Sequence, residues 1–280
     1  LTSKTVKALV VISKNDRFVY DSYRRLIMMY ADVVMEKGLG LGKGVGIRKK
    51  MESLLQKMKE KQNYSSDSDV SAEDWKALVK KYLALVERSF GVPFPDDHNE
   101  QLYGAIEAVF LSWNGKRAKE YRVFEKISDS VGTAVNVQSM VFGNLGKGCG
   151  TGVAFTRNPS SGENALFGEW LPNAQGEDVV AGIRTPQKIS GTEKDTLKKA
   201  MPKAYEELKR TRKKLENHFK DMQDIEFTIE KNKLWMLQTR TGKRSGAAAI
   251  KIATDLVSER LIKKDEAIRR IKPEQVYESI

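Results

Sequence analysis

The residues best suited to chemistry lie in one segment, 224–240, which reads DIEFTIEKNKLWMLQTR. Asp224 and Glu226 are two positions apart on a predicted strand, so both carboxylates project from one face, about 7 Å apart along it. Gln238 and Arg240 have the same spacing on a predicted returning strand. Mg²⁺ prefers oxygen ligands and accepts one or two carboxylates beside phosphate oxygens, and arginine offers a bidentate fork for phosphate. If the four side chains share a face, they suit a cation that carries polyphosphate.

The turn between the two strands decides whether they share a face. A three-residue loop at 230–232, with Asn232 in the left-handed region, pairs Asp224 with Gln238 and puts all four side chains on one face. A two-residue loop at 231–232 puts the two pairs on opposite faces. We expect the three-residue loop. The pattern alone also fits an exposed strand face with ordinary cross-strand ion pairs.

Four other segments invite a functional interpretation. The glycine-rich run 143–152 could nest an anion with its backbone amides or could be a flexible connection. The polar segments 155–159 (FTRNP) and 173–178 (NAQGED) follow short predicted strands, but their spacing assigns no roles. The glycine run 38–46 lacks the Ser or Thr that a phosphate-binding loop needs after its lysine, because Gly44 follows Lys43. We predict a loop between helices there.

The elements that must position these residues change character along the chain. Apolar residues at helical spacing predict helices in the first hundred residues, with plausible caps at Asn15 and Asp16 and a cap at Ser71, whose box partner would be Asp74. Helices are also predicted within 102–127. Beyond them, the predicted strands are 131–142, 152–156, 165–171, 224–229 and 234–240, and the predicted helices are 199–221, 245–259 and 265–271, the last stopped by Pro273.

Composition excludes several classes of protein. The chain has 280 residues and no apolar run near the roughly 20 residues that span a bilayer. One cysteine and two histidines allow neither an internal disulfide nor zinc-finger spacing, and a lone cysteine indicates a reducing compartment. The net charge of +12 favours anionic partners such as nucleotides or nucleic acid. A basic nucleic-acid-binding module would use the run 209–214, but acidic neighbours and the lack of interleaved aromatic residues favour a solvated helix face.

The motifs QSMVFGN, GTGVAFTRNPSSGE, GEWLPNAQGEDVVAGIRTPQ, DIEFTIE and LWMLQTRTGKRS resemble those of the pyruvate, phosphate dikinases, and the likeness covers nearly the whole chain. The resemblance implies an α+β fold of partial ATP-grasp type with an N-terminal helical subdomain. The implied divisions are a helical subdomain at 1–100, a sheet subdomain with nucleotide and metal ligands at 101–243, and a helical linker at 244–280 toward a phosphohistidine domain.

The resemblance also implies an activity. These transferases convert ATP, phosphate and pyruvate to AMP, pyrophosphate and phosphoenolpyruvate through a phosphohistidine on a swivelling domain. Mg²⁺ and ATP are the implied cofactors, and the implied enzyme is a soluble intracellular homodimer, cytoplasmic or within an organelle. Residue by residue, the match makes Arg240 the catalytic phosphate-binding arginine. It assigns metal binding to Asp224, Glu226 and Gln238, and nucleotide binding to Gln138, Met140, Val141, Glu177, Arg184 and Gln238.

Departures from the family pattern limit what we expect of the chain. The Thr-Ser-His motif of the phosphohistidine is absent, and neither His98 nor His218 has its context. A first ATP-grasp segment is expected before residue 1 and a pyruvate-binding barrel after residue 280. Asn232 stands where the family has glycine, but asparagine tolerates positive φ. We therefore expect a piece of the nucleotide-binding domain that binds ATP weakly or undetectably and has no turnover.

Besides the nucleic-acid-binding module, two other interpretations of the chain are open. Phosphoenolpyruvate synthases share the TRNP and LQTR elements but resemble the segment from Asn173 to Gln187 less. A purely structural helical module without a ligand is the third interpretation.

Overall fold

The computed structural model describes residues 1–42, 44–180, 182 and 184–277. Its contacts divide the chain into two compact units, Leu1–Gln138 and Ser139–Ile280. This boundary lies well beyond the one expected after residue 100.

The first unit is helical throughout. Its elements are α1 (Ser3–Ser13), α2 (Asp16–Met29), a π-helix (Tyr30–Gly38), α3 (Ile47–Gln62), a 3₁₀ turn (Asp67–Asp69), α4 (Ala72–Phe90), α5 (His98–Ser112), α6 (Lys116–Glu125) and a second 3₁₀ turn (Asp129–Val131). Helix α5 belongs to this unit because it packs on the π-helix, where the Tyr30 hydroxyl donates to the carbonyl of Glu100 at 3.3 Å.

The predicted caps of α2 and α4 are confirmed, and so are the apolar stripes of these two helices. The Asn15 side chain accepts from the amide of Phe18 at 3.0 Å, and Ser71 accepts from the amide of Asp74 at 3.1 Å. Of the predicted box at Ser71, the carboxylate half differs, because Asp74 accepts from the Ser71 hydroxyl at 3.0 Å. The core lies mainly between α2 and α4. Its largest fully buried side chains are Phe18, Ile27, Ile47, Met51, Trp75, Leu78 and Tyr82.

The loop before α3 is closed to a phosphate. Both oxygens of the Glu36 carboxylate accept backbone amides at the start of α3, from Gly46 at 2.7 Å and from Ile47 at 2.8 Å. A phosphate-binding loop would leave these amides to its ligand. Lys43 lies outside the described residues. The prediction of an inter-helix loop agrees with this arrangement.

A cluster of charges ties the α3–α4 connection to α2. The Asp67 carboxylate lies 2.7 Å from Arg24 and 2.9 Å from Lys59, and the Arg24 guanidinium stacks on Trp75 at 4.5 Å from the ring centre. Burial alone would raise the pKa of the Asp67 carboxyl, but the cations of Arg24 and Lys59 hold that pKa below its ordinary value.

The second unit combines an antiparallel sheet with helices. Its elements are β1 (Gly150–Phe155), β2 (Phe167–Pro172), α7 (Gly176–Val180), β3 (Gln187–Lys188), α8 (Leu197–Ala200), α9 (Pro202–Phe219), β4 (Gln223–Glu230), β5 (Lys233–Thr241), α10 (Gly246–Ser258), α11 (Lys264–Arg270) and α12 (Pro273–Tyr277). The strand order is β3-β2-β1-β4-β5, and every neighbouring pair is antiparallel. The chain is therefore a mixed α/β protein.

Helix α9 covers one face of the sheet. Alternate residues of β4, which are Ile225, Phe227 and Ile229, are fully buried in a cluster that includes Tyr205 and Leu208 of α9. The period of two leaves Asp224, Glu226, Thr228 and Glu230 on the other face. Helix α10 packs at the strand ends through Met222 and Ile252. The segment expected to be a linker from residue 244 thus adds to the core of this unit.

One sequence prediction about elements was wrong. The segment 131–142 is no strand, since Val131 ends a 3₁₀ turn and residues 132–149 form neither helix nor strand. A strand needs a neighbour to share its backbone hydrogen bonds. Val137 and Met140 are instead 70% and 69% exposed. The helix predicted at 265–271 does end before Pro273, which then opens α12, because proline suits the first position of a helix.

Arg157, in the FTRNP segment after β1, is a buried link between helices. Its side chain is fully buried and forms forked ion pairs with Glu216 of α9 (3.0 Å) and with Glu259 after α10 (2.7 Å). Burial opposes the charge, but these two carboxylates raise the pKa of the guanidinium above its ordinary value. The polar residues of this segment therefore have a structural role.

Asp67→Asn should weaken the dependence of stability on pH. The folded-state pKa of Asp67 is depressed, so its contribution is present above the unfolded-state pKa of about 4 and is lost as pH falls through the folded value. Urea unfolding should show a variant less stable than wild type at pH 7, with the difference shrinking below about pH 4. Glu125→Gln, at an exposed site, is the control. A difference independent of pH would contradict the assignment.

Arg157→Met should destabilise the second unit by about 3–5 kcal/mol, because it leaves Glu216 buried without its cation. Arg157→Lys should lose less, since the charge remains without the fork. Urea unfolding is the measurement, and Arg210→Met on the exposed face of α9 should change stability by no more than about 0.5 kcal/mol. Equal losses in Arg157→Met and Arg210→Met would rule out the link.

Candidate functional site

The β4–β5 hairpin turns in two residues. Lys231 and Asn232 have φ values of 50° and 65°, and the ladder starts with Glu230 opposite Lys233. Positive φ at both turn positions is the geometry that suits two-residue hairpins. The predicted three-residue loop is wrong, because Asn232 accepts positive φ and Lys231 does so as well.

A β-bulge reverses the consequence of that short turn. Phe227 pairs with Met236, but the next pairs are Glu226 with Gln238 and Asp224 with Arg240, so Leu237 is the extra residue. A bulge opposes two residues of one strand to one of the other. The predicted convergence of the four side chains is therefore present, through pairs that differ from the predicted ones.

The four side chains differ in exposure and in partners. The Arg240 Nε donates to Asp224 Oδ2 at 2.8 Å, and their side chains are 65% and 13% exposed. Glu226 is half-buried and Gln238 is exposed. The face thus pairs an accessible guanidinium with a more sheltered carboxylate.

Glu177 joins this face across a cleft of about 380 Å³. Helix α7 packs beside β1 and β2 and brings the Glu177 carboxylate to the cleft that Glu226 also lines. The start of α7 is fixed by the buried Asp178, which accepts from the amide of Gln175 at 2.9 Å. The walls are largely apolar, formed by Val153, Val179 and Leu237. Such a mixture of apolar walls and few polar groups is typical of small-molecule sites.

The remaining predicted site residues lie elsewhere. Met140 and Val141 belong to the irregular segment before the sheet, which is anchored where the amide of Phe142 donates to the Glu230 carboxylate at 2.6 Å. Gln138 is the last residue of the first unit. Arg184 donates to the carbonyl of Asn173 at 3.2 Å and is not among the described residues that line the cleft.

The glycine-rich run supports the hairpin turn. The Gly146 amide donates to the Asn173 side chain at 3.0 Å, and the Asn232 amide donates to the Gly148 carbonyl at 2.7 Å. Gly148 has φ +78°, and a Cβ there would come within 2.9 Å of the Asn232 side chain. These contacts favour an ordered support for the hairpin turn over a flexible connection. Because the Gly146 amide already donates to Asn173, it is not available to bind an anion.

Sequence reasoning missed the cleft walls. Thr151 and Val153 of β1 line the cleft because they alternate with core residues, a signal that the period of two could have supplied. Leu237 could not be found this way, since nothing local marks a bulge inside an apolar run.

Within residues 1–42, 44–180, 182 and 184–277, no three His, Cys, Asp or Glu side chains form a cluster that could hold a metal ion. The hairpin face differs from such a cluster because it combines two carboxylates with one amide. Among the described residues, every helix is too short or too polar to cross a bilayer.

The basic run 209–214 is partly engaged inside the protein. Lys209 lies 3.3 Å from Glu206, and Arg212 bonds to Asn164. Burial lowers the pKa of the Arg212 guanidinium. These contacts favour the predicted helix face over a surface for nucleic acid.

Comparison with known proteins identifies the family of the chain. The family described as "Pyruvate phosphate dikinase, AMP/ATP-binding domain" matches residues 50–203 and 190–261. The chain belongs to this family. The resemblance predicted from the motifs is thereby confirmed.

Individual relatives agree. The chain is 51% identical over 280 residues to a pyruvate, phosphate dikinase of Rhizobium meliloti (strain 1021), with 98% of this chain and 30% of that protein covered. It is 50% identical over 262 residues to pyruvate, phosphate dikinase 1, chloroplastic, of Arabidopsis thaliana, at 93% and 26% coverage. For the enzyme of Clostridium symbiosum the identity is 49% over 273 residues, at 97% and 30%. The chain spans less than a third of the length of these curated relatives.

Deleting Leu237 should keep the four polar side chains of the β4–β5 hairpin on one face. Without the extra residue, a regular ladder from Phe227–Met236 continues to Glu226–Gln238 and Asp224–Arg240. Cross-strand nuclear Overhauser contacts between residues 224 and 240 should therefore persist in the variant. Inserting an alanine after Leu237 is the matched control and should abolish them. Loss of the contacts in the deletion would contradict the register described here.

Proposed function

We propose that the chain is the nucleotide-binding part of a pyruvate, phosphate dikinase and that the β4–β5 face holds the phosphates of ATP with Mg²⁺. The observation that carries this is the bulge, which gathers Asp224, Glu226, Gln238 and Arg240 on one face beside a cleft. The antiparallel sheet and the family membership support an ATP-grasp fold.

The donor set fits a hard cation. Asp224, Glu226 and Gln238 offer only oxygen ligands, and Mg²⁺ binds through one or two carboxylates together with phosphate oxygens. When bound, the ion would neutralise phosphate charge. The three side chains supply its ligands from two neighbouring strands, whose spacing the ladder fixes.

Arg240 would bind the phosphate end of the nucleotide. Its present partner is the Asp224 carboxylate, and the guanidinium is largely exposed. An exposed ion pair contributes at most about 1 kcal/mol, so exchange of the carboxylate for a phosphate costs little. The bidentate fork is suited to phosphoryl oxygens, where negative charge accumulates during transfer.

The cleft would hold the nucleoside. Glu177 could accept hydrogen bonds from ribose hydroxyls, and the apolar walls suit a sugar or base. The backbone of Met140 and Val141, together with Gln138, remains our proposal for adenine, and Arg184 for the same neighbourhood. The assignment of Met140 and Val141 is supported by the anchoring of Phe142 to Glu230, which lies at the turn end of β4 on the same face of the strand as Asp224 and Glu226.

The reaction of the whole enzyme extends this proposal. It would convert ATP, phosphate and pyruvate to AMP, pyrophosphate and phosphoenolpyruvate, with a phosphohistidine domain as the partner, in a soluble intracellular homodimer. The chain lacks the Thr-Ser-His motif, so its own residues would bind and orient ATP without accepting the phosphoryl group. A phosphoenolpyruvate synthase is disfavoured because the relatives compared are named pyruvate, phosphate dikinases.

Titration of the ¹⁵N-labelled chain with Mg-ATP should shift the resonances of the β4–β5 face and of α7. Because the four side chains already share one face, we expect binding that is weak but detectable, rather than the undetectable binding that the sequence also allowed, with a Kd of about 1 mM, which corresponds to about −4 kcal/mol. Glu226→Gln keeps the shape of the side chain but removes its charge, so it should reduce the dependence of ATP binding on Mg²⁺. Glu206→Gln on α9 should bind Mg-ATP as the wild type does. Shifts confined to other surfaces, or none at about 10 mM, would refute the proposed site. Micromolar affinity would refute the expectation of weak binding.

A further inference from the structure

A buried polar network lies at the base of the hairpin, on the face opposite the proposed site. Gln223 and Thr156 are 1% and 0% exposed, and two hydrogen bonds join them: Thr156 N donates to the Gln223 backbone carbonyl at 2.9 Å, and Gln223 N donates to the Thr156 side-chain Oγ1 at 2.9 Å. These bonds fix the start of β4 against the end of β1.

The Gln223 side chain extends this network to the other strand of the hairpin. Its Oε1 accepts from the hydroxyl of Thr239 at 3.1 Å, while its Nε2 donates to the carbonyls of Asp221 (3.3 Å) and Met222 (3.2 Å). Thr239 lies beyond the bulge, opposite Ile225. The bond therefore joins the two strands on the far side of the extra residue.

This contact exists in only one of two registers. If the regular pairing of Phe227 with Met236 continued without a bulge, Leu237 would lie opposite Glu226 and Thr239 opposite Asp224. Gln238 and Arg240 would then point toward the core face. Thr239 would point toward the site face, on the side of the sheet away from the Gln223 amide. The hydroxyl can reach Gln223 only when the bulge is present.

We propose, resting on the function proposed above, that Gln223 and Thr239 are positioning residues that hold β5 in its bulged register and so keep Gln238 and Arg240 on the nucleotide face. The pair touches neither the cation nor the phosphates in this arrangement. It acts through the strand, by stabilising the register in which Arg240 meets Asp224. Burial of the Gln223 side-chain oxygen Oε1 strengthens the preference for the bulged register. If the Thr239 hydroxyl were lost, this buried acceptor would be left without that hydrogen bond.

Four variants isolate this role. Thr239→Val keeps the branched shape and removes the hydroxyl, and Thr239→Ser keeps the hydroxyl. Thr241→Val makes the same change on the same face of β5 at an exposed position. Gln223→Met removes the same bond from the other strand and serves if Thr239→Val does not fold.

Mg-ATP titration followed by ¹⁵N shifts should give a Kd raised about fivefold in Thr239→Val, the equivalent of a hydrogen bond of about 1 kcal/mol. Thr239→Ser should return to within about twofold of wild type, and Thr241→Val should match wild type. Equal Kd values for wild type and Thr239→Val would overturn the proposal, as would failure of Thr239→Ser to restore binding.

The deletion of Leu237 separates register from stability. Without the extra residue the regular ladder already pairs Asp224 with Arg240, so Thr239 has no register left to select. In the chain that lacks Leu237, Thr239→Val should then change the Kd for Mg-ATP by no more than about twofold. The same substitution should lower the stability to urea of both the wild-type chain and the deletion chain. If Thr239→Val still raised the Kd for Mg-ATP about fivefold in the chain that lacks Leu237, Thr239 would have a merely structural role and the proposal would be overturned.

A ligand-free measurement distinguishes failure of this inference from failure of the proposed function. In Thr239→Val, the nuclear Overhauser contacts between residues 224 and 240 should weaken, and contacts between 224 and 239 should appear. If wild type fails to respond to Mg-ATP, the proposed function fails, and these contacts still decide the positioning role. Unchanged contacts in Thr239→Val would overturn it.

Discussion

The extra residue Leu237 constrains the second unit because a β-strand assigns alternate side chains to opposite faces. The two-residue turn at Lys231 and Asn232 starts the ladder in a register that would separate the acids of β4 from Gln238 and Arg240. One inserted residue inverts the alternation of β5 from that point on. Residues nearer the turn keep Leu234 and Met236 on the core side, while residues beyond it present their amide and guanidinium to the opposite face. The hairpin thus packs against the core near its turn and presents polar side chains to the opposite face at its other end.

A buried cation holds the body on which this hairpin rests. Arg157 carries a full charge at a site without solvent, and its forked contacts to Glu216 and Glu259, with Asp255 3.9 Å away, offset the cost of burying that charge. Those carboxylates lie 59 and 102 residues away along the chain. Because Arg157 follows β1 directly, the link fixes the end of the central strand against α9 and α10. The sheet face opposite α9 is then free of the demands of the core.

The sequence predicted the elements better than their pairing. Periodicity identified α2, α4, α9 and the two hairpin strands, because each carries an apolar stripe that burial requires. The segment 131–142 has strand-forming residues but no strand, since pairing depends on a neighbour that local propensity does not reveal. The convergence of Asp224 with Arg240 was predicted from a turn that is wrong, and it holds through a bulge that no local pattern marks. The FTRNP segment alone assigned Arg157 no role, because that role depends on contacts distant in sequence.

The pairing of Arg240 with Asp224 links the architecture of the site to its chemistry. Without a ligand, the guanidinium and the carboxylate neutralise each other at 2.8 Å, so the face does not carry an isolated charge at either position. Because the arginine side chain is exposed, water and salt screen this pair, and its dissociation costs little. A cation that approaches the carboxylate and an anion that approaches the guanidinium would each replace one half of the pair. A metal–polyphosphate ligand offers both charges at once, as the proposed function requires.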